Sequence, residues 1–317
     1  MSKTTRKDIH FTRDPNPIFS FAVHDLAGRK IIKKGEQLTP QLLLEIRRTA
    51  PKPKPFIAVC KKDVALWKDI HEAIHHPPYK ELFRELQKEE ELIGIMGETK
   101  LSPFVIQVLS YFKERDPYTY WHSLHVFILT AYMSLQMLSW PQGKNLISTL
   151  GPLHDVGKIE VPIEVLQKET PITRDEGQRL RHHALAGAVL LSYYEGSENL
   201  LGALVALEHH ERRDGSGYPR GVPPSDFIIE IVAFCDIYDA LVSPRPYRNR
   251  PFDQRTGLEV LTEMVQEGKF SPEILQFLIS LHRSDKPDYR KVKFPTTFRG
   301  VPPEKNLYGT ILEDLNS

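Results

Sequence analysis

At 317 residues the chain is long enough for two domains, or for one large domain with an extension. Its 40% hydrophobic and 26% charged residues are those of a soluble protein, and 42 basic against 41 acidic side chains leave a net charge of +1, so the overall charge gives no case for a nucleic-acid polymer as partner. Cys60 and Cys235 lie in the apolar stretches FIAVC and IVAFC, which read as buried thiols in a reducing compartment and not as a disulfide framework.

The N-terminal MSKTTRKDIHFTRD is basic with no apolar run behind it, so no signal peptide is expected. IFSFAV and HDLAGRKIIKKGEQ read as two short strands around a glycine turn. Thr39 then Pro40 place an N-cap before a proline at the first helical position, and QLLLEIRR carries that helix to the proline-rich PKPKP. FIAVC reads as another strand. Residues 1–62 are therefore expected to form a small α+β module, whose place before the rest of the chain suggests a regulatory or partner-binding role. From Lys62 the pattern turns helical. DVALWKDIHEAIHH, stopped by Pro77-Pro78, and YKELFRELQKEEELIGIM form a connector over 63–98. LSPFVIQVLSYFKE, YTYWHSLHVFILTAYMSLQML, NLISTLGPLHDV, RDEGQRLRHHALAGAVLLSYY, NLLGALVALEHH, IIEIVAFCDIYDALV and QRTGLEVLTEMV follow as helices of one unit spanning 99–290. Thr173 and Glu176 form a capping box at the head of the fourth. The polar, proline-rich residues 291–317 read as a C-terminal tail. The most apolar stretch, HVFILTAYMSLQMLSW, is too short and too polar to span a bilayer, so a soluble, cytoplasmic, mainly α protein is expected, a helical bundle behind a small α+β module.

Candidate ligands recur on successive helices at intervals of roughly thirty residues: His122, His154-Asp155, His183, His209-His210 and Asp236. A bundle aims side chains from several helices into one centre, and imidazole with carboxylate is the donor set of zinc, iron or manganese. Any one of these histidines alone reads as an ordinary core or surface residue. A carboxylate such as Asp155 has two oxygens and can bridge two cations, a standard device for phosphate-ester hydrolysis. His71-Glu72-Ala73-Ile74-His75 also matches HExxH, but Pro77-Pro78 ends its helix at once and it lies outside the main cluster, so the metalloprotease reading is set aside.

DPYTYWHSLHV, LHDVGKIEVPIEVLQKETPIT, RHHALAG, HHERRDGSGYPRG and CDIYDALVSPRPYR stand in an order and spacing that resemble the HD-GYP family of cyclic-di-GMP phosphodiesterases, within the HD superfamily of metal-dependent phosphohydrolases. The resemblance covers about residues 100–285. It implies an HD-type helical bundle with two divalent metal ions, Fe or Mn foremost, with Zn, Ni or Co as substitutes. His122, His154, Asp155 and Asp236 would hold one ion, and Asp155 would bridge to a second held by His183, His209 and His210. His182 is expected beside the site or on the surface, and Asp239 to orient a ligand. Tyr118 stands where members with a third metal carry Glu, so a binuclear site is implied.

The implied reaction is hydrolysis of cyclic di-GMP to pGpG or GMP, with a hydroxide between the two metals as nucleophile and Asp155 at the catalytic centre. Lys158, in HDVGK, would neutralise a phosphate oxygen or assist the leaving group; its plain reading is a solvated lysine. Arg245 and Arg248 match phosphate geometry and would face the substrate, or else decorate a basic surface loop. Tyr218, in GSGYP, would stack on or hydrogen-bond to guanine, while the loop around it would equally suit a GGDEF-type diguanylate cyclase as partner. The competing readings are a catalytically weak cyclic-di-GMP receptor or scaffold, and an HD phosphohydrolase for another cyclic dinucleotide.

Overall fold

The computed structural model describes residues 16–50, 58–83, 86–138, 149–196, 200–295 and 297–315. Strands β1 (Val23–His24) and β2 (Lys30–Ile32) pair antiparallel. Helix α1 (Pro40–Thr49) follows, its Thr39 side chain accepting from the Leu42 amide, with Pro40 in the first turn, as the sequence predicts. Strand β3 (Ala58–Val59) pairs antiparallel with a strand the sequence did not announce, β4 (Lys100–Leu101). That pairing ties the start of the helical region to the end of the N-terminal module.

Between β3 and β4 run α2 (Val64–His75), α3 (Tyr79–Leu82) and α4 (Leu86–Glu98). The bundle is built on α5 (Pro103–Arg115) and α6 (Pro117–Met137). Fifteen residues of α6 between Thr119 and Ser134 are buried, on every face, which makes it the axis of the core. After the short α7 (Ile163–Leu166) come α8 (Arg174–Glu195), α9 (Leu200–Glu208), α10 (Phe227–Val242), α11 (Gln254–Gln266), α12 (Pro272–His282) and α13 (Leu312–Leu315). The capping box heads α8: Thr173 Oγ1 accepts the Glu176 amide at 3.2 Å, and the Glu176 carboxylate accepts the Thr173 amide at 2.7 Å.

Two expectations need correction. The helix read over NLISTLGPLHDV is not an α-helix in its described part. It consists of two 3-10 turns, Gly151–Leu153 and Val156–Glu160, flanking His154-Asp155. Pro152 lacks an amide hydrogen, and a side chain at Gly151 would lie 2.4 Å from the Phe127 Cα, so the segment is shaped to run against α6. Helix α12 was not foreseen, although Ser271-Pro272-Glu273 is a helix-start signal.

Helix α6 packs on α10, α5, α2 and the Gly151–Leu153 turn, while α8 packs on α9 and the Val156–Glu160 turn. The N-terminal module lies on α8. The Leu26 amide donates to the Tyr194 hydroxyl at 2.8 Å, and His24 meets the Glu160 carboxylate at 3.2 Å. His182 is not at the surface: it is buried with Phe19 and Phe21 of the module edge-on against it. One hydrophobic core runs from Phe19 to Val292. Among the described residues, no helix is long and apolar enough to cross a membrane.

Candidate metal centre

Five segments converge at the middle of the bundle: α6 with His122, the 3-10 segment with His154 and Asp155, α8 with His183, the end of α9 with His209 and His210, and α10 with Asp236. Among the described residues they form two clusters that could hold a metal ion, His122–His154–Asp236 and His183–His209–His210. Asp155 lies between the clusters. Its Oδ2 is 3.2 Å from His154 Nε2 and 3.6 Å from His122 Nε2, and its Oδ1 is 3.4 Å from His183 Nε2. Asp236 Oδ1 is 3.0 Å from His122 Nε2.

The other ring nitrogens show what these donors are prepared for. His154 Nδ1 donates to the Gly151 carbonyl at 2.6 Å, His183 Nδ1 to that of Leu180, and His209 Nδ1 to Ala206 at 3.0 Å. His122 Nδ1 donates to Asp239 Oδ2 at 2.6 Å. With the proton on Nδ1, each Nε2 is a bare lone pair aimed inward. Yet His122 and His154 Nε2 stand 3.3 Å apart, and His183 Nε2 stands 3.1 Å from both His209 and His210 Nε2. Lone pairs so close repel unless a cation lies among them, so the donor set fits divalent metal.

Electrostatics agree. Burial pushes His183 down to about 4, and burial reinforced by neighbouring imidazoles holds His209 and His210 well below the usual histidine range, so all three stay neutral. Burial opposes ionisation of Asp155 and Asp236, but the histidines outweigh it, aided at Asp155 by Lys158, and both carboxyls stay far below their ordinary range. His154 is raised because Asp155 and Asp236 outweigh its burial. Ionised carboxylates beside three neutral imidazoles form a centre that calls for positive charge.

Lys158 Nζ reaches Asp155 Oδ2 at 2.5 Å. Tyr218 stacks on His210, ring centroids 4.4 Å apart and tilted 18°, while the Arg181 guanidinium lies 5.8 Å from the Tyr218 ring centre. Arg245 stands at the centre, Nη2 2.7 Å from His122 Nδ1 and 3.4 Å from Asp239 Oδ2. Arg248 is not brought there. It is buried, its Nη2 donating to the Ala240 and Ser243 carbonyls at the end of α10, with Phe252 beneath its guanidinium. In the HExxH segment, His75 is exposed and turned toward Glu89 at 2.9 Å, in neither metal cluster.

The supporting groups were largely invisible in the sequence. Asp239 Oδ1 accepts from the hydroxyls of Tyr79 and Ser243, both at 2.6 Å, and His125 stacks on Tyr79 with its Nδ1 3.1 Å from Asp239 Oδ1. Tyr79 comes from a short helix far away in the chain and carries no signal. Glu208 and Glu211 brace the loop that ends in Tyr218 and Pro219. Glu211 accepts the Arg220 amide at 2.7 Å; Glu208 accepts the Ser225 amide at 2.7 Å and pairs with Arg220. Their place beside His209-His210 was the one available hint. At Gly217 a Cβ would lie 2.3 Å from the His210 carbonyl oxygen, so that glycine provides clearance for the segment of His209 and His210.

Residues 127–274 match the family model described as HD domain. A cyclic di-GMP phosphodiesterase of Thermotoga maritima is 34% identical over 192 residues, covering 60% of this chain and 52% of that protein. The cyclic di-GMP phosphodiesterase response regulator RpfG of Xanthomonas campestris is 47% identical over 109 residues, 33% of this chain and 28% of its own length. A 3'3'-cGAMP-specific phosphodiesterase 2 of Vibrio cholerae is 31% identical over 138 residues, 43% of this chain and 26% of that protein. The chain thus spans about half or less of the length of these curated relatives. Among solved structures, Bd1817, a HDG"Y"P protein of Bdellovibrio bacteriovorus, aligns with a TM-score of 0.43 at 15% identity over 84% of this chain and 95% of that one, a distant likeness. Residues 127–274 thus resemble an HD domain, and the His183–His209–His210 cluster and the HHERRDGSGYP run lie within them.

Proposed function

We propose that the chain is a metal-dependent phosphodiesterase that opens cyclic di-GMP to pGpG, and further to GMP where the second bond is also cut. The observation that carries this reading is the position of Asp155, one carboxylate oxygen toward each histidine cluster. His122, His154 and Asp236 would hold one ion and His183, His209 and His210 the other, with Asp155 shared. Two such ions supply a nucleophile from water at neutral pH and Lewis-acid stabilisation of phosphoryl oxygens. Lys158 keeps Asp155 ionised, and its ammonium stands where it can meet a phosphate oxygen. Arg245 places a second cation beside the His122–Asp239 pair, and Tyr218 fixes the ring of His210. Iron or manganese, a cytoplasmic location, a regulatory N-terminal module over 1–62 and docking of a GGDEF-type cyclase on the loop of Tyr218 belong to the same proposal.

The test is anaerobic purification with metal analysis, followed by turnover of cyclic di-GMP with Mn(II) or Fe(II) supplied. Two metals per chain and linear product are expected. Two metals with no turnover of any cyclic dinucleotide would leave a receptor or scaffold. Preference for 3'3'-cGAMP, which the Vibrio relative makes a specific alternative, would change the substrate and keep the chemistry. His154→Ala and Asp155→Ala should each lower bound metal and cut turnover by at least about 100-fold.

A further inference from the structure

His210 occupies one face of the Tyr218 ring, and the Arg181 guanidinium lies 5.8 Å from the ring centre. Another aromatic side chain is placed beside the segment that carries Arg245 and Tyr247 by residues outside the motif region. Residues 297–315 run back over the bundle as a strap fixed at three places. At its start, the Arg299 and Gly300 amides donate to the Glu259 carboxylate, at 3.1 and 2.6 Å. In its middle, the Leu307 amide donates to the Tyr247 carbonyl at 3.1 Å and the Asn249 amide to that of Lys305 at 3.3 Å, beside a bridge between Arg248 and Asn306. At its end, Ile172 and Ile311 form a parallel bridge, Leu312 donates to the Ile172 carbonyl at 2.8 Å, and Arg174 pairs with Asp314 at 2.5 Å.

The middle anchor follows α10, which carries Asp236, and the end anchor precedes α8, which carries His183. The strap therefore crosses between the supports of the two clusters. Between these anchors, a turn closed by Thr310 donating to the Leu307 carbonyl at 3.0 Å presents Tyr308. Its ring stands 5.7 Å from that of Tyr247, tilted 43°, and its side chain is 70% exposed. Tyr247 lies two residues from Arg245, whose Nη2 is 2.7 Å from His122 Nδ1. An aromatic ring held by backbone bonds on both sides, against Tyr247 in the segment that carries Arg245 and open to solvent, is a surface for something flat and anionic.

We infer that Tyr308 is a substrate-binding residue, its ring a stacking platform for one guanine of the cyclic dinucleotide, with Arg245 in the neighbouring segment for a phosphate. The inference rests on the phosphodiester reading above. A purine on a tyrosine face fits because every base has a π-face, and loss of such a contact costs roughly 5- to 150-fold in affinity.

The experiment uses the full chain loaded with Mn(II), in wild-type, Tyr308→Ala and Tyr308→Phe forms. Turnover and calorimetric binding of cyclic di-GMP are measured beside hydrolysis of bis(p-nitrophenyl) phosphate, a diester with no base to stack. Expected for Tyr308→Ala are weaker binding and a raised KM for cyclic di-GMP within that range, kcat changed less, and unaltered hydrolysis of the simple diester. Tyr308→Phe, which keeps the ring, should behave as wild type. Unchanged KM and binding in Tyr308→Ala overturn the platform alone. A parallel loss on both substrates also overturns it, since that is damage to the centre. A wild-type protein that cleaves the simple diester but neither binds nor cleaves cyclic di-GMP overturns the guanine reading itself, and the platform with it.

Discussion

At the residue scale, Asp239 is the most informative group outside the two clusters. It is fully buried and takes the His122 ring proton together with the Tyr79 and Ser243 hydroxyls. Burial alone would raise its carboxyl; His125 and His122 outweigh that and hold it well below the ordinary range. Asp239→Asn should weaken metal binding by about 10- to 100-fold, because the His122 lone pair loses its fixed direction; titration of the stripped protein with Mn(II) checks it. A second residue governs acid stability away from the centre. Burial pushes His282 down to about 4, and its Nε2 lies 2.8 Å from the Tyr238 hydroxyl. An unfolded chain protonates that imidazole near 6.5. Between about 6.5 and 4 the unfolded state therefore binds the extra proton, and stability falls as pH drops through that window. His282→Gln should remove this dependence, so that its stability deficit relative to wild type shrinks by up to about 3 kcal/mol from pH 7 to pH 4. Urea midpoints across that range measure it.

At the element scale, the contact between the Val156–Glu160 turn and α8 sets the spacing of Asp155 and His183. A Cβ at Gly157 would stand 2.0 Å from the His183 carbonyl oxygen and 2.5 Å from the Gly187 amide nitrogen, both backbone atoms that cannot swing aside. Gly157→Ala should cost about 1–3 kcal/mol, with a larger loss of metal than the stability change alone explains. Thermal melts and metal content together decide this. Thr173→Ala, which removes the cap at the head of α8, should cost about 1 kcal/mol with the metal content of the folded protein unchanged. These elements also show what the sequence made legible. Caps at Thr39 and Thr173 and the helical periodicity were readable because their signals are local. The histidine clusters were readable because ligands must be particular residue types on consecutive helices. The β3–β4 pair, the Tyr79–Asp239 bond and the burial of His182 under Phe19 and Phe21 join residues distant in the chain, and nothing local encodes them. Arg248 illustrates the reverse case, a motif arginine that caps the end of α10.

At the scale of the whole molecule, the N-terminal module and the bundle share one core. A single cooperative thermal transition is expected by calorimetry, and two separated transitions would show that the module melts by itself. The metal centre adds a further term. Its donors come from five segments spread between His122 and Asp236, so a pair of ions there would tie together stretches of chain that entropy would otherwise separate. Chelation should lower the melting temperature on the order of 5–10 °C for metal held at about a thousand times its dissociation constant. The two cysteines are buried and free, so no disulfide shares that work. A cross-link made of ions is reversible and depends on supply. Under metal starvation the unfolded fraction would rise and proteases would draw it off, so the chain itself would disappear along with its turnover.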